Sequence, residues 1–165
     1  MAIFWSGEEI LEMAVQIERN GMAFYQGLAE SAQDDKMKNL MEHLAEEEKK
    51  HMATFHKFSG VLDKEQLKTL YELQYAEEGS LYLKALADTK IFADSNEAAQ
   101  WAKEAQSPVE ALLTAVTLEK DSILFYQEMR NFVRKEDRAL IDKIMNEEKK
   151  HIQTLAKMKE ECFSE

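Results

Sequence analysis

The chain has 165 residues, one proline, five glycines and a net charge of -11. That length suffices for one domain with a real core, and few turn-forming residues beside abundant Glu, Lys, Leu, Ala and Met favour long helices over a sheet. The acidic balance argues against nucleic acid as a partner, since phosphate binding needs a basic surface, and no apolar run approaches the roughly 18 residues of a membrane span.

Helix A is expected over about 6–31, opened by Ser6-x-x-Glu9 as a capping box. Helix B follows over about 35–59, starting at Asp34 or Asp35 and closed by Gly60 as a C-terminal cap. A long crossover spans about 61–106, with Glu77–Ala87 and Asn96–Ala105 reading as helical and Asp94-Ser95-Asn96 supplying a cap. Its Tyr71, Tyr75, Tyr82, Leu83 and Leu86 are rich in apolar surface for a connection, so it is expected to cover the bundle or a partner in a homodimer. Helix C is expected over about 107–133, from Ser107-Pro108-Val109-Glu110 with proline at the first helical position. Helix D covers about 136–162. Short A–B and C–D loops make each pair an antiparallel hairpin, and the whole of 1–165 reads as one all-α four-helix bundle.

The lone Cys162 builds neither a disulfide framework nor a paired Cys-x-x-Cys, so a reducing compartment is expected. Ile3-Phe4-Trp5 near the start lacks the basic opening and long apolar core of a secretory signal. The expected location is the cytoplasm, without membrane attachment.

An internal repeat organises the chain. Residues 18–26 align with 119–127, each beginning with Glu and ending Phe-Tyr-Gln, and Glu-Glu-Lys-Lys-His occupies both 47–51 and 147–151. Each half is thus a Glu, about thirty residues, then Glu-x-x-His. On a helical wheel at about 100 degrees per residue, Met37, Met41, Leu44, His51, Met52 and Phe55 fall within about 60 degrees of Glu48. The corresponding stripe around Glu148 holds Ile141, Ile144, Met145, His151, Ile152 and Leu155. Glu18 shares its face with Leu11, Ala14, Met22, Tyr25 and Ala29, and Glu119 shares its own with Leu112, Ala115, Val116, Ile123 and Tyr126.

Four carboxylates and two imidazoles therefore point into an expected core. Buried unpaired carboxylates cost many kcal/mol or become protonated, and no lysine or arginine lies on these inner faces near the glutamates. Two divalent metals would bring four positive charges against the four carboxylates, with the histidines as neutral ligands. The heights agree: Gln33, at the A–B turn, is fifteen residues from both Glu18 and Glu48, and Arg134 is fifteen from Glu119 and fourteen from Glu148. At 1.5 Å per residue all four lie roughly 22 Å from their turns, on one level if the hairpins pack antiparallel. A single Glu-x-x-His or a run such as Glu46–Lys50 is usually a solvated helix face; two phased copies inside apolar stripes are far more specific.

In these residues the sequence resembles the rubrerythrin branch of the ferritin-like di-iron carboxylate proteins, in which two helices give one Glu and two give Glu-x-x-His. The resemblance covers nearly the whole length. It implies a ferritin-like bundle with two iron ions, Glu48 and Glu148 bridging them, and Glu18, His51, Glu119 and His151 as terminal ligands. It further implies reduction of hydrogen peroxide or dioxygen with oxidation of Fe(II), electrons coming from a separate donor protein. Manganese or a mixed pair would also suit a carboxylate-rich site. No haem is expected, since Lys49 stands where bacterioferritins carry a haem-ligating methionine after the helix B glutamate. The paired Cys-x-x-Cys of a rubredoxin domain does not occur in this sequence. Tyr25 and Tyr126, seven residues after Glu18 and Glu119, are either partners of the ligand carboxylates or an electron relay, as in similar rubrerythrin-like proteins, or else ordinary core tyrosines. His43 and His56 lie off the ligand face, and Glu77 and Glu78 read as a solvated pair. Two rivals stand beside the oxidoreductase: ferritin-type iron storage with a ferroxidase centre, and a non-enzymatic metal-binding protein on the same fold.

Overall fold

The computed structural model describes residues 7–59, 82, 85–86, 94–133 and 135–163. Among these residues the fold is all-α, with five helices and no strand: α1 (Gly7–Ser31), α2 (Asp35–Ser59), α3 (Ser95–Glu104), α4 (Pro108–Phe132) and α5 (Arg138–Phe163). Ser6, Gly60, Glu77, Glu78, Tyr71, Tyr75, Leu83 and most of the crossover lie outside the described residues.

The helix ends follow from side chains that satisfy orphan backbone groups. Asp34 precedes α2 and accepts from Met37 N at 2.9 Å, and Asp94 caps α3 by accepting from Asn96 N and Glu97 N at 2.8 and 3.0 Å. At α4, Ser107 accepts from Glu110 N at 3.2 Å with Pro108 at the first position. The reciprocal half of that capping box is displaced by one residue: Glu110 Oε2 accepts from Gln106 N at 2.8 Å. The last long helix begins at Arg138, later than the expected start near 136, because 135–137 form a turn in which Asp137 O accepts from Leu140 N at 3.1 Å.

The helix α1 runs along α2, α4 runs along α5, α1 meets α4, α2 meets α5, and α3 lies on α1. The buried apolar residues separate into two groups. One joins Ile10, Leu11, Ala14 and Ile17 to Phe55, Phe58, Phe125, Met129, Val133, Ile141 and Ile144, and also receives Leu86 from the crossover. The other joins Phe24, Leu28 and Ala29 to Met41, Leu44, Ala98, Ala102, Ala111, Leu112, Leu155 and Met158. The end of α1 thus shares a group with the start of α4, so the α1–α2 and α4–α5 turns lie at opposite ends. Arg130 clamps α4 to α5 by donating from Nε to Asp142 Oδ1 at 2.6 Å and from Nη2 to Oδ2 at 3.1 Å, a two-pronged geometry.

The contact between α1 and α3 is close enough to require glycine. A Cβ at Gly27 would stand 2.9 Å from Ala102 Cβ and 2.9 Å from the Ala99 carbonyl oxygen. The second of these is backbone and cannot rotate away. Gly→Ala inside a helix ordinarily gains about 1 kcal/mol, whereas forced overpacking costs about 1 to 3 kcal/mol. Gly27→Ala is therefore expected to lower the melting temperature by several degrees in a thermal melt. A raised melting temperature would contradict the seating of α3 on α1.

Candidate metal centre

Between the two apolar groups lies a buried polar layer. Glu18 comes from α1, Glu48 and His51 from α2, Glu119 from α4, and Glu148 and His151 from α5, and all six are buried. The i, i+3 spacing in α2 and α5 sets each Glu and His on adjacent turns of one face, while the opposed turns bring the four helices' mid-sections to one level.

The six residues form two overlapping sets: Glu18, Glu48, His51 and Glu148, and Glu48, Glu119, Glu148 and His151, each offering atoms within 4.8 Å of one another. His51 Nδ1 lies 3.3 Å from Glu18 Oε2, 2.9 Å from Glu148 Oε1 and 3.9 Å from Glu48 Oε2. His151 Nδ1 lies 3.4 Å from Glu119 Oε1, 2.9 Å from Glu148 Oε2 and 3.2 Å from Glu48 Oε1. Glu48 and Glu148 each turn one oxygen to one histidine and the other oxygen to its counterpart. The imidazole rings stack with centroids 5.8 Å apart.

Two buried tyrosines cross between α1 and α4. Tyr25 donates its hydroxyl to Glu119 Oε1, and Tyr126 donates to Glu18 Oε1. Burial, and then the charge of Glu119 or Glu18 respectively, pushes each phenol well above its ordinary range, so both remain protonated donors. Several other atoms of the layer are not provided for. Glu18 Oε2, Glu48 Oε1, both oxygens of Glu148, and Nδ1 of His51 and His151 are buried without a hydrogen-bond partner. Buried polar atoms without partners are rare and costly. Here they face one another, with the carboxylates and imidazole nitrogens that divalent cations take, so the residues fit a metal pair.

The electrostatics state the same imbalance. Burial first, and then the charges of Glu48 and Glu148, hold the Glu18 carboxyl well above the usual range. For His51, burial opposes protonation but is outweighed by the close carboxylates of Glu148 and Glu18, which push it up to about 12. His151 is raised in the same way by Glu119, Glu148 and Glu48 against its burial.

Two side-chain positions escaped the sequence pattern. At Gly21 a Cβ would lie 3.3 Å from Cγ, Cδ and Oε2 of Glu48, so the absent side chain makes room for that carboxylate. The aligned residue in the other half is Ser122, and nothing in a helical wheel marks the difference. Glu147 Oε2 lies 3.1 Å from His51 Nε2, on the ring's far side from the cluster; the only sequence signal for it was its place in the repeated pentapeptide. His43 and His56 are exposed on α2, away from the layer.

The Rubrerythrin family model matches residues 9–159. This chain belongs to the Rubrerythrin family. A crystal structure of a Thermotoga maritima chain described as a ferritin-like diiron-carboxylate protein is similar in fold to this Rubrerythrin-family chain. The TM-score is 0.75, at 26% identity over 96% of this chain and 97% of that one. No curated protein matches the sequence closely. Among the described residues no helix is long and apolar enough to cross a membrane.

The titrations predict a pH signature. A histidine raised from 6.5 to about 12 binds its proton more tightly folded than unfolded. Its stabilisation is fully present below about pH 6.5 and is lost as pH rises through the folded value. A raised Glu18 acts with the same sign. Thermal melts of chelator-treated protein are expected to give melting temperatures that fall steadily from about pH 6.5 to 9. Loading with a divalent metal is expected to reverse the trend over mildly acidic to neutral pH, because acid then protonates the residues that hold the metal. Identical profiles with and without metal would contradict a buried metal-holding layer.

Proposed function

We propose that this chain is a non-haem di-iron oxidoreductase that reduces hydrogen peroxide or dioxygen with electrons from a separate donor protein. Its helices are read as a ferritin-like four-helix bundle of two hairpins, α1–α2 and α4–α5, joined by the crossover of 61–106. The observation that carries the reading is that the two buried sets share Glu48 and Glu148, whose paired oxygens divide between His51 and His151. These two glutamates would bridge a pair of ions, with Glu18 and His51 completing one end and Glu119 and His151 the other. Iron, when bound there, supplies the electrons that reduce the oxidant. The description of the Thermotoga maritima chain as a diiron-carboxylate protein supports iron, with manganese or a mixed pair as the next candidates.

The chain's own residues bear on the chemistry in three ways. Tyr126 holds Glu18 by Oε1 and leaves Oε2, which faces His51, for a cation, while Tyr25 holds Glu119 by Oε1, the oxygen that also faces His151, so both carboxylates are oriented. Apolar groups on both sides of the layer limit entry of water. A cavity of about 20 Å³ lies beside Glu48 and Glu119, lined further by Gly21, Tyr25, Ala98, Trp101 and Ser122. Room for one water-sized molecule needs roughly 10 to 15 Å³, so the space suits a very small oxidant.

Anaerobic Fe(II) loading followed by metal analysis tests the ligand assignment. About two irons per chain are expected, with both severely reduced in Glu48→Ala and in Glu148→Ala and one retained in Glu18→Ala. Full retention of both metals in the first two variants would overturn the assignment. Peroxide added to the loaded protein should oxidise the iron within a single fast phase that is lost in the same two variants. Accumulation of iron far beyond two per chain inside a hollow-shell assembly would instead favour storage.

A further inference from the structure

The pentapeptide Glu-Glu-Lys-Lys-His is identical at 47–51 and 147–151, yet its two copies make different contacts. Glu147 reaches from α5 to α2, placing Oε2 3.1 Å from His51 Nε2, with the His51 side chain 4% exposed and that of Glu147 28%. Lys143 Nζ is 3.9 Å from the other oxygen of Glu147, beyond hydrogen-bond reach. Glu47 instead turns along its own helix and accepts from Lys50 Nζ at 2.6 Å. The ion pairs of His151 run from Nδ1 to Glu48, Glu119 and Glu148, and none runs to Glu47.

A carboxylate on one ring nitrogen keeps the proton there, fixes the plane of the ring and makes the other nitrogen a stronger donor to a cation. For His51 the other nitrogen is Nδ1, the atom that faces Glu18 and Glu148. We propose that Glu147 is a positioning residue for His51, and that it makes the Glu18–His51 half of the centre the tighter of two cation positions, the Glu119–His151 half filling second. This rests on the metal-binding reading above. The asymmetry comes from side-chain pairing at the flank of an otherwise duplicated ligand set.

Mn(II) titration of the metal-free protein tests it. The wild type is expected to bind in two resolved steps, with His51→Ala removing the tighter and His151→Ala the weaker. Glu147→Gln preserves size and removes charge; it should weaken the tighter step about 10- to 100-fold and leave the other unchanged. Glu47→Gln should leave both. A second readout uses nitrogen-15 histidine NMR of the Zn(II)-loaded protein. There the Nε2–H proton of His51 should lie at low field, then move upfield and exchange faster in Glu147→Gln, with that of His151 unmoved. A general loss of structure would disturb both rings. Equal steps in the wild type, an unmoved His51 proton in Glu147→Gln, or the same loss in Glu47→Gln would overturn the positioning role and leave the two-metal reading intact. A wild type that binds no Mn(II), Fe(II) or Zn(II) would overturn both.

Discussion

Four carboxylates held at mid-height in an apolar interior repel one another and lack the water that would ordinarily solvate them. The rest of the molecule is arranged around that layer. Long helices are needed because the layer must sit away from both ends, with an apolar group on either side of it. With the α1–α2 and α4–α5 turns at opposite ends, residues equally far from their own turns share a level only near mid-height, and that is where the four glutamates sit. The tyrosines compensate part of the charge by donating into it, and the histidines by standing beside it as bases that take up protons. The oxygens and nitrogens that remain without partners measure what the protein alone leaves uncompensated.

Much of this was legible in the residues because burying an ionisable group leaves a trace in periodicity. Glu48 and His51 fall inside a stripe of Met41, Leu44 and Phe55, and a solvated glutamate has no reason to do so. The caps at Asp34, Asp94 and Ser107 were equally readable, since a short polar side chain before a helix has a specific backbone group to satisfy. Where propensity alone had to decide, the boundary moved: Glu136 and Asp137 favour a first helical turn, but 135–137 form a turn of their own and α5 starts at Arg138.

What stayed hidden depends on distance in space. Gly21 and Gly27 look like two unhelpful residues in the middle of a helix, each costing about 1 kcal/mol against alanine. Only the neighbours give them a reason: Glu48 across from one, and Ala99 and Ala102 of α3 across from the other. Nothing in the pattern of α3 says which of the long helices it covers. In the same way, Glu47 and Glu147 are indistinguishable by local sequence. Their difference appears only when Lys50 and His51 are seen to divide between them.

The crossed tyrosines have a consequence for how the two halves are related. Tyr25 of the first half grips Glu119 of the second, and Tyr126 of the second grips Glu18 of the first. Reciprocity of that kind, where i meets j and the equivalent of j meets the equivalent of i, is the mark of an isologous interface. Each half is thus its own complement, and a hairpin of this type set against a copy of itself would generate the same layer by two-fold symmetry. Such an assembly of identical halves would be bound to equal chemistry on both sides. Joining them in one chain removes that obligation, which is what lets glycine stand at 27, where α3 is seated, against glutamate at the equivalent position 128.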